Sequence, residues 1–274
     1  SGLALMPGGS TDGLRQVAAL TTIGLQTVQQ PGEGPASRPA GPGLRYQGRY
    51  LAADAPARFR EDPAEILGFF TTAQQLPELP PLEVETLRAL WDGARAVDGQ
   101  VRADPRVREG LLQLLSRPGR VGDPLRRMNR FGLLGRFLPE FGRIVGQTQH
   151  NLYHIYPVDE HTLGAMAMAD RFYRPDETIA AESPLACRLA PLVRRPEVLY
   201  LGLLCHDIAK GRAGDHSVLG ARVARRLGRR LGLDREDTET AAWLVQEHLY
   251  LSQSSQKRDI HDPETIAEVA YHVR

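Results

Sequence analysis

The stretch Val198-Leu-Tyr-Leu-Gly-Leu-Leu-Cys-His-Asp-Ile-Ala-Lys-Gly211 decides how this chain is read. An apolar run leads into the pair His206-Asp207 and stops at Gly211, the pattern of a buried helix whose last turn carries polar side chains. Taking a carboxylate out of water costs several kcal/mol unless it is paired or coordinated. Asp207 beside His206 therefore predicts a cation at that point, and a metal ion is the simplest one.

Other candidate ligands sit where helices can hold them. A helix is expected from Asp234, with Asp237 in the capping-box position and Ala241, Leu244, Val245, His248 and Leu251 on one inward face. His161 opens the helix that follows Pro157-Val-Asp159, and His216 follows Gly214-Asp215 at the start of the helix bearing Val218, Leu219, Val223, Ala224 and Leu227. Asp259 precedes the helix start Asp262-Pro263-Glu264, where proline suits the first helical position. Several helix ends thus converge on one polar point.

Taken singly, each residue has a plainer explanation. A lone inward histidine such as His248 is more often a hydrogen-bonded core residue than a ligand. Asp215 and Asp262 read as helix caps, Asp259 reads equally as a cap or turn residue, and His150, His154, His261 and His272 read as surface or packing residues. The joint pattern reverses those odds.

The order His161, His206-Asp207, Asp259 resembles that of the HD-domain metal-dependent phosphohydrolases, an all-α helical fold whose four metal ligands come from separate helices in that order. Longer motifs narrow the resemblance. The stretches Leu125-Arg-Arg-Met-Asn-Arg-Phe-Gly-Leu-Leu-Gly-Arg-Phe-Leu-Pro-Glu-Phe-Gly142, Leu152-Tyr-His-Ile-Tyr-Pro-Val-Asp-Glu-His-Thr-Leu163, His206-Asp-Ile-Ala-Lys-Gly211 and Gly214-Asp-His-Ser-Val-Leu-Gly220 look like the central region of the bacterial bifunctional uridylyltransferase/uridylyl-removing enzymes, which modify the PII nitrogen-signalling protein. The similarity runs from about Pro63 onward.

This resemblance implies a phosphodiesterase that removes UMP from a tyrosine of uridylylated PII, with UMP as product and nitrogen assimilation as its setting, and the lack of a long apolar run or basic-plus-apolar leader gives the expectation that it is cytoplasmic. It implies His161, His206, Asp207 and Asp259 as ligands of one or two divalent ions of Mn, Fe, Mg, Co or Zn, with His216 and His248 completing a second ion or acting on the leaving group. Asp207, Lys210, His216 and His248 are the catalytic candidates. The Lys210 ammonium would complement a phosphate oxygen, although a solvated surface lysine is an equal expectation. Arg126, Arg127 and Arg130, beside Asn129, either contact phosphate or brace the domain, and bracing is favoured. Two other functions stay open: an HD phosphohydrolase acting on a free nucleotide or cyclic phosphodiester, and a non-catalytic module binding PII or nucleotide.

No Gly-Ser motif followed by paired carboxylates is found, since Gly8-Gly9-Ser10-Thr11-Asp12 lacks a downstream Asp-x-Asp. Nucleotidyltransferase chemistry is accordingly not expected. No βαββ pattern follows Ile266, Val269, Ala270 and Val273, so a glutamine-sensing ACT domain is not expected either.

With 274 residues and 42% hydrophobic content the chain can bury a substantial core. Its net charge of +1 gives no general reason to expect nucleic acid, and no apolar run predicts a membrane span. Cys187 and Cys205 are too sparse for a zinc knuckle or disulfide framework, and Cys205 is expected to be a buried inert thiol. Three regions are anticipated. Residues 1–45 comprise a short helix over Leu14–Val28 and a flexible Pro/Gly-rich linker from Gln30 to Gly43, residues 46–145 form a helical support with weak strand-like alternation at Leu44–Ala53, and residues 146–274 form the HD domain. Within the support, helices are expected from Pro63, over Pro81–Trp91 and over Pro105–Leu115.

Overall fold

A computed structural model describes residues 37–147 and 157–273. The expected helix over Leu14–Val28 lies outside the described residues, as do His150 and His154.

The described chain opens with three antiparallel strands in the order β1 (Arg38–Gly41), β2 (Leu44–Gln47) and β3 (Tyr50–Ala53). The alternation at Leu44–Ala53 becomes a hairpin in which Leu44 pairs with Ala53 and Gln47 with Tyr50. Strand β1 corrects the expectation of a flexible linker up to Gly43. Pro39 pairs with Arg45 there because β1 is an edge strand, where a missing N–H is tolerated, and the register breaks between Pro39 and Gly41. The sheet is joined to the helices through Leu51, whose N–H donates to Pro81 O and whose carbonyl accepts from Glu83 N, both at 2.8 Å. Beyond this small sheet the fold is helical.

The support region contains α1 (Glu65–Ala73), α2 (Val84–Arg95), α3 (Pro105–Leu115) and α4 (Gly122–Arg130), with shorter turns between. Helix α3 has the expected span, with Pro105 in its first turn and the Asp104 carboxylate accepting from Arg106 N. Helix α2 starts later than Pro81 because Glu83 caps it, accepting from Glu85 N and Thr86 N. The remaining long elements are α5 (Val158–Tyr173), α6 (Pro196–Cys205), α7 (His216–Leu231), α8 (Arg235–Gln246), α9 (Tyr250–Lys257) and α10 (Pro263–His272).

Helices α6, α7 and α8 pack mutually, α5 packs on α4 and α6, and α3 packs against both α6 and α7. One contiguous hydrophobic core results, running from Leu44 and Leu51 through Leu114 and Phe137 to Leu201, Ala224 and Val245. Gly220 is what lets α7 lie so close. A Cβ at that position would sit 2.9 Å from Val245 Cγ1 and 3.1 Å from the Cys205 carbonyl oxygen. The close approach fixes the start of α7, and with it His216, against the end of α6.

Among the described residues no helix is long and apolar enough to cross a membrane. Cys205 is fully buried, and burial pushes its thiol up in pKa, as expected of an inert thiol.

A candidate metal centre around Asp207

The pair His206-Asp207 does not lie in the last helical turn. Helix α6 ends at Cys205, and residues 206–211 continue as consecutive turns that reach Gly211 at φ 79°. His206 is the helix C-cap, with its Nδ1 2.7 Å from the Leu203 carbonyl oxygen. A carbonyl only accepts, so Nδ1 carries a hydrogen, and Nε2 is the nitrogen that holds either a second proton or a cation. That Nε2 lies 3.4 Å from Asp207 Oδ2.

His248 repeats the arrangement beyond a different helix. Asp234 caps α8 as expected, accepting from Asp237 N at 2.8 Å, but α8 ends at Gln246 and α9 begins at Tyr250. His248 therefore stands in the turn between two helices, and Leu251 is exposed instead of continuing an inward face. Its Nδ1 donates to the Val245 carbonyl at 2.7 Å, which leaves Nε2 facing Asp207 Oδ1 at 3.9 Å. Burial, together with the charge of His206, lowers the His248 pKa and favours the neutral ring that ligates cations.

The other two histidines come from helix N-termini. His161 lies in the first turn of α5, with Nε2 3.7 Å from Asp207 Oδ2, and His216 is the first residue of α7, with Nε2 3.6 Å from Asp207 Oδ1. Asp215 caps α7, accepting from Ser217 N at 2.8 Å, as expected. Lys210 Nζ approaches Asp207 Oδ2 at 2.8 Å.

Asp207 is thus the centre of the cluster. Its two oxygens face two groups of donors: His161 and His206 on the Oδ2 side, His216 and His248 on the Oδ1 side. In each triad the possible ligand atoms lie within 4.8 Å of one another. Burial alone would raise the Asp207 carboxyl, but the hydrogen bond and charge of His206 and those of Lys210 outweigh it and hold the group well below the usual carboxylate range. Oδ1 is buried and accepts no hydrogen bond from the described residues. An orphaned carboxylate oxygen facing two imidazole nitrogens fits a divalent cation between them.

Asp259 is not brought into this cluster. It is exposed between α9 and α10, and its carboxylate accepts from His261 N at 2.9 Å. Asp262 behaves as the expected cap of α10, accepting from Glu264 N. Of the arginines, Arg127 braces the domain by donating to the carbonyls of Pro80 and Leu79, whereas Arg126 and Arg130 are exposed.

Residues not singled out from the sequence hold the site in place. Buried Asp159 accepts from Asn129 Nδ2 and from Gly146 N, each at 2.9 Å, tying α4 and the turn at Gly146 to the first turn of α5. Gln147 accepts from Val158 N at 3.0 Å and donates through Nε2 to the Lys210 carbonyl at 3.1 Å. His161 and Lys210 are therefore positioned through one small network. The signal available was the placement of Asp159 in a first helical turn, which by itself suggests only a favourable helix-dipole contact.

Comparison with known proteins agrees with this anatomy. Residues 45–137 match the family model described as the Uridylyltransferase GlnD third domain, and residues 158–270 match the HD domain. The chain is 48% identical over 223 residues to the bifunctional uridylyltransferase/uridylyl-removing enzyme of Thiobacillus denitrificans, covering 81% of this chain and 26% of the relative. It is 46% identical over 216 residues to that of Nitrosospira multiformis, covering 79% and 24%, and 42% identical over 231 residues to that of Stutzerimonas stutzeri, covering 84% and 25%. The chain belongs to this family. It spans about a quarter of the length of the curated relatives it matches. The histidines and Asp207 of the candidate centre all fall inside the HD-domain match.

Proposed function

We propose that this chain is a metal-dependent phosphodiesterase that hydrolyses the UMP–tyrosine ester of uridylylated PII, releasing UMP and the unmodified protein. The observation that carries the reading is the buried Asp207 carboxylate with two histidines on each oxygen and, among the described residues, no hydrogen bond to Oδ1. The choice of substrate is supported by relatives named as uridylyl-removing enzymes, with PII as the modified protein taken from the resemblance.

In this reading His161, His206 and Asp207 hold one divalent ion, and Asp207, His216 and His248 offer a place for a second. Asp259 enters only through the order of the family motif, and to act as a ligand its carboxylate would have to move into the cluster around Asp207. A divalent ion held here supplies Lewis acidity that acidifies a water and offsets phosphodiester charge.

The protein's own groups do the rest. The Leu203 and Val245 carbonyls fix the tautomers of His206 and His248, so their Nε2 atoms point inward. Lys210 offers an ammonium on the Oδ2 side of Asp207, suited to a non-bridging phosphate oxygen. Water oxygen bonds to phosphorus, the bond from phosphorus to the tyrosine oxygen breaks, and the departing phenolate takes up a proton. Where no second ion occupies their Nε2 atoms, His216 or His248 is placed to give up that proton.

The test is incubation of metal-stripped protein, with and without added Mn²⁺, with uridylylated PII, followed by the intact mass of PII. Loss of one UMP only in the presence of metal is expected. Retention of the full mass by PII, with Mn²⁺ demonstrably bound to the chain, would overturn the reading.

A further inference from the structure

The segment between α5 and α6 carries an apolar strip that nothing among the described residues covers. Leu185 and Leu189 of the helix Pro184–Leu189 are 57% and 51% exposed, and Leu192 of the following 3-10 turn Ala190–Leu192 is 71% exposed. They recur four and then three residues apart, so they share one helical face, and exposed Val193 extends it. Exposed leucines scattered singly need no explanation, whereas a contiguous strip of this kind marks an interaction surface.

The segment that bears the strip is itself cationic, and the exposed carboxylates Glu177 and Glu182 lie on the preceding helix that packs against it. Between Pro184 and Pro196 the chain has three arginines and no carboxylate. Arg195 is engaged by Glu197 and Asp237, while exposed Arg188 and Arg194 have no ion-pair partner among the described residues. A twofold contact between copies of this chain would set the same two cations against themselves, which disfavours self-association. An acidic partner surface with an apolar centre is complementary.

Position relates the strip to the metal centre. Both the helix Pro184–Leu189 and the turn Ala190–Leu192 pack against α5, the helix whose first turn holds His161. Exposed Met168 stands seven residues beyond His161 on the same face of α5, on the order of 10 Å along the axis. Only the intermediate-burial residues Gly164 and Ala165 lie between them on that face.

We propose that Leu185, Leu189, Leu192 and Val193, rimmed by Arg188 and Arg194, form the docking surface for the protein part of the substrate, which meets it with apolar residues flanked by carboxylates. This rests on the reading of the site as one that acts on a modified protein. Such a surface holds the protein while its ester reaches the metal centre, so it contributes to KM for the protein and nothing to hydrolysis of a small ester.

The experiment compares the wild-type chain with Leu189→Asp/Leu192→Asp and, separately, Arg188→Glu/Arg194→Glu, all loaded with Mn²⁺. Two substrates are used, uridylylated PII and the p-nitrophenyl ester of UMP. Both variants replace exposed side chains and should keep the wild-type circular dichroism. The expected result is a KM for uridylylated PII raised about tenfold or more, with turnover of the small ester unchanged. An unchanged KM in both variants overturns the docking surface, as does an equal loss on both substrates. If the wild-type chain cleaves the small ester but not uridylylated PII, the docking proposal and the uridylyl-removing reading both fall while the phosphodiesterase chemistry stands, and if it cleaves neither, that chemistry has failed as well. Size-exclusion chromatography with light scattering guards the alternative: a wild-type dimer dissociated by Leu189→Asp/Leu192→Asp would assign the strip to self-association and overturn the proposal.

Discussion

Lys210 Nζ lies 2.8 Å from Asp207 Oδ2, the same oxygen that faces His161 and His206. The ammonium is therefore held at the metal centre by the carboxylate. A solvated surface lysine would leave catalysis untouched when shortened, but a charge poised beside the reacting phosphate would not. Lys210→Met should lower kcat toward the modified protein by about tenfold to a hundredfold while leaving helical content unchanged. Steady-state kinetics on the metal-loaded protein checks this, and wild-type kcat in the variant would return Lys210 to a purely structural role.

The division of the Asp207 oxygens between two pairs of histidines predicts a metal stoichiometry. If both triads are filled, His161→Ala and His216→Ala should each bind one fewer Mn²⁺ than wild type, and Asp207→Ala should bind none. Elemental analysis after gel filtration measures this directly. Identical metal content in all four proteins would refute the assignment. Thermal unfolding gives an independent readout. A ligand at about a hundred times its Kd stabilises the native state by about 2.7 kcal/mol. Added Mn²⁺ should raise the Tm of wild type and leave that of Asp207→Ala in place.

Close packing at Gly220 makes a third prediction. The added side chain of Gly220→Leu would meet Val245 and the Cys205 carbonyl, forcing the start of α7 away from the end of α6. Overpacking of this kind costs about 1–3 kcal/mol, and here it also displaces His216. Urea denaturation should show the loss, accompanied by weakened metal binding. Gly68→Ala provides the contrast, because nothing lies within 4 Å of a Cβ at that exposed position in α1. It should stabilise the protein by about 0.5–1 kcal/mol. A neutral Gly220→Leu would mean that α7 is not held by this contact.

What was legible in the sequence was mostly local. Caps at Asp215, Asp234 and Asp262 are written in short-range residue types, and the structure shows each accepting from a backbone N–H two or three residues ahead. Helix ends were less readable. The apolar run into His206 and the inward spacing from Ala241 to His248 each continue past the point where backbone hydrogen bonding turns, because hydrophobic periodicity does not register a change from helix to turn. Strand β1 was hidden by Pro39, since composition could not reveal an edge position that tolerates it. The convergence of His161, His206, Asp207, His216 and His248 was anticipated from helix placement and from the family resemblance together. The bonds that set their positions, Asn129 to Asp159 and Gln147 to Lys210, join residues 30 and 63 positions apart, and no local pattern encodes such pairs. Asp259 shows the limit of motif order, which places a residue type in sequence and says nothing about where its carboxylate rests.

Stability against pH should report on Asp170, far along α5 from the metal centre. Its carboxylate accepts from Val121 N at 3.1 Å, Gly122 N at 2.6 Å and the Tyr200 hydroxyl at 2.5 Å, so it caps α4 from another helix. Burial raises its pKa above the ordinary aspartate value, and the hydrogen bonds from Tyr200, Gly122 and Val121 only partly counter this. A carboxyl whose native pKa is raised contributes stability that is fully present below its unfolded pKa and is lost as pH rises through the native one. Asp170→Asn keeps the size but replaces one acceptor oxygen with a donor facing backbone N–H groups, so it should destabilise the protein by about 1–3 kcal/mol. The difference from wild type should be largest below about pH 4, near the unfolded aspartate pKa, and should shrink as pH rises through the raised native value. Paired urea titrations across that window measure it. A gap that widens with increasing pH would mean that the bonds from Tyr200, Gly122 and Val121, and not burial, dominate at Asp170.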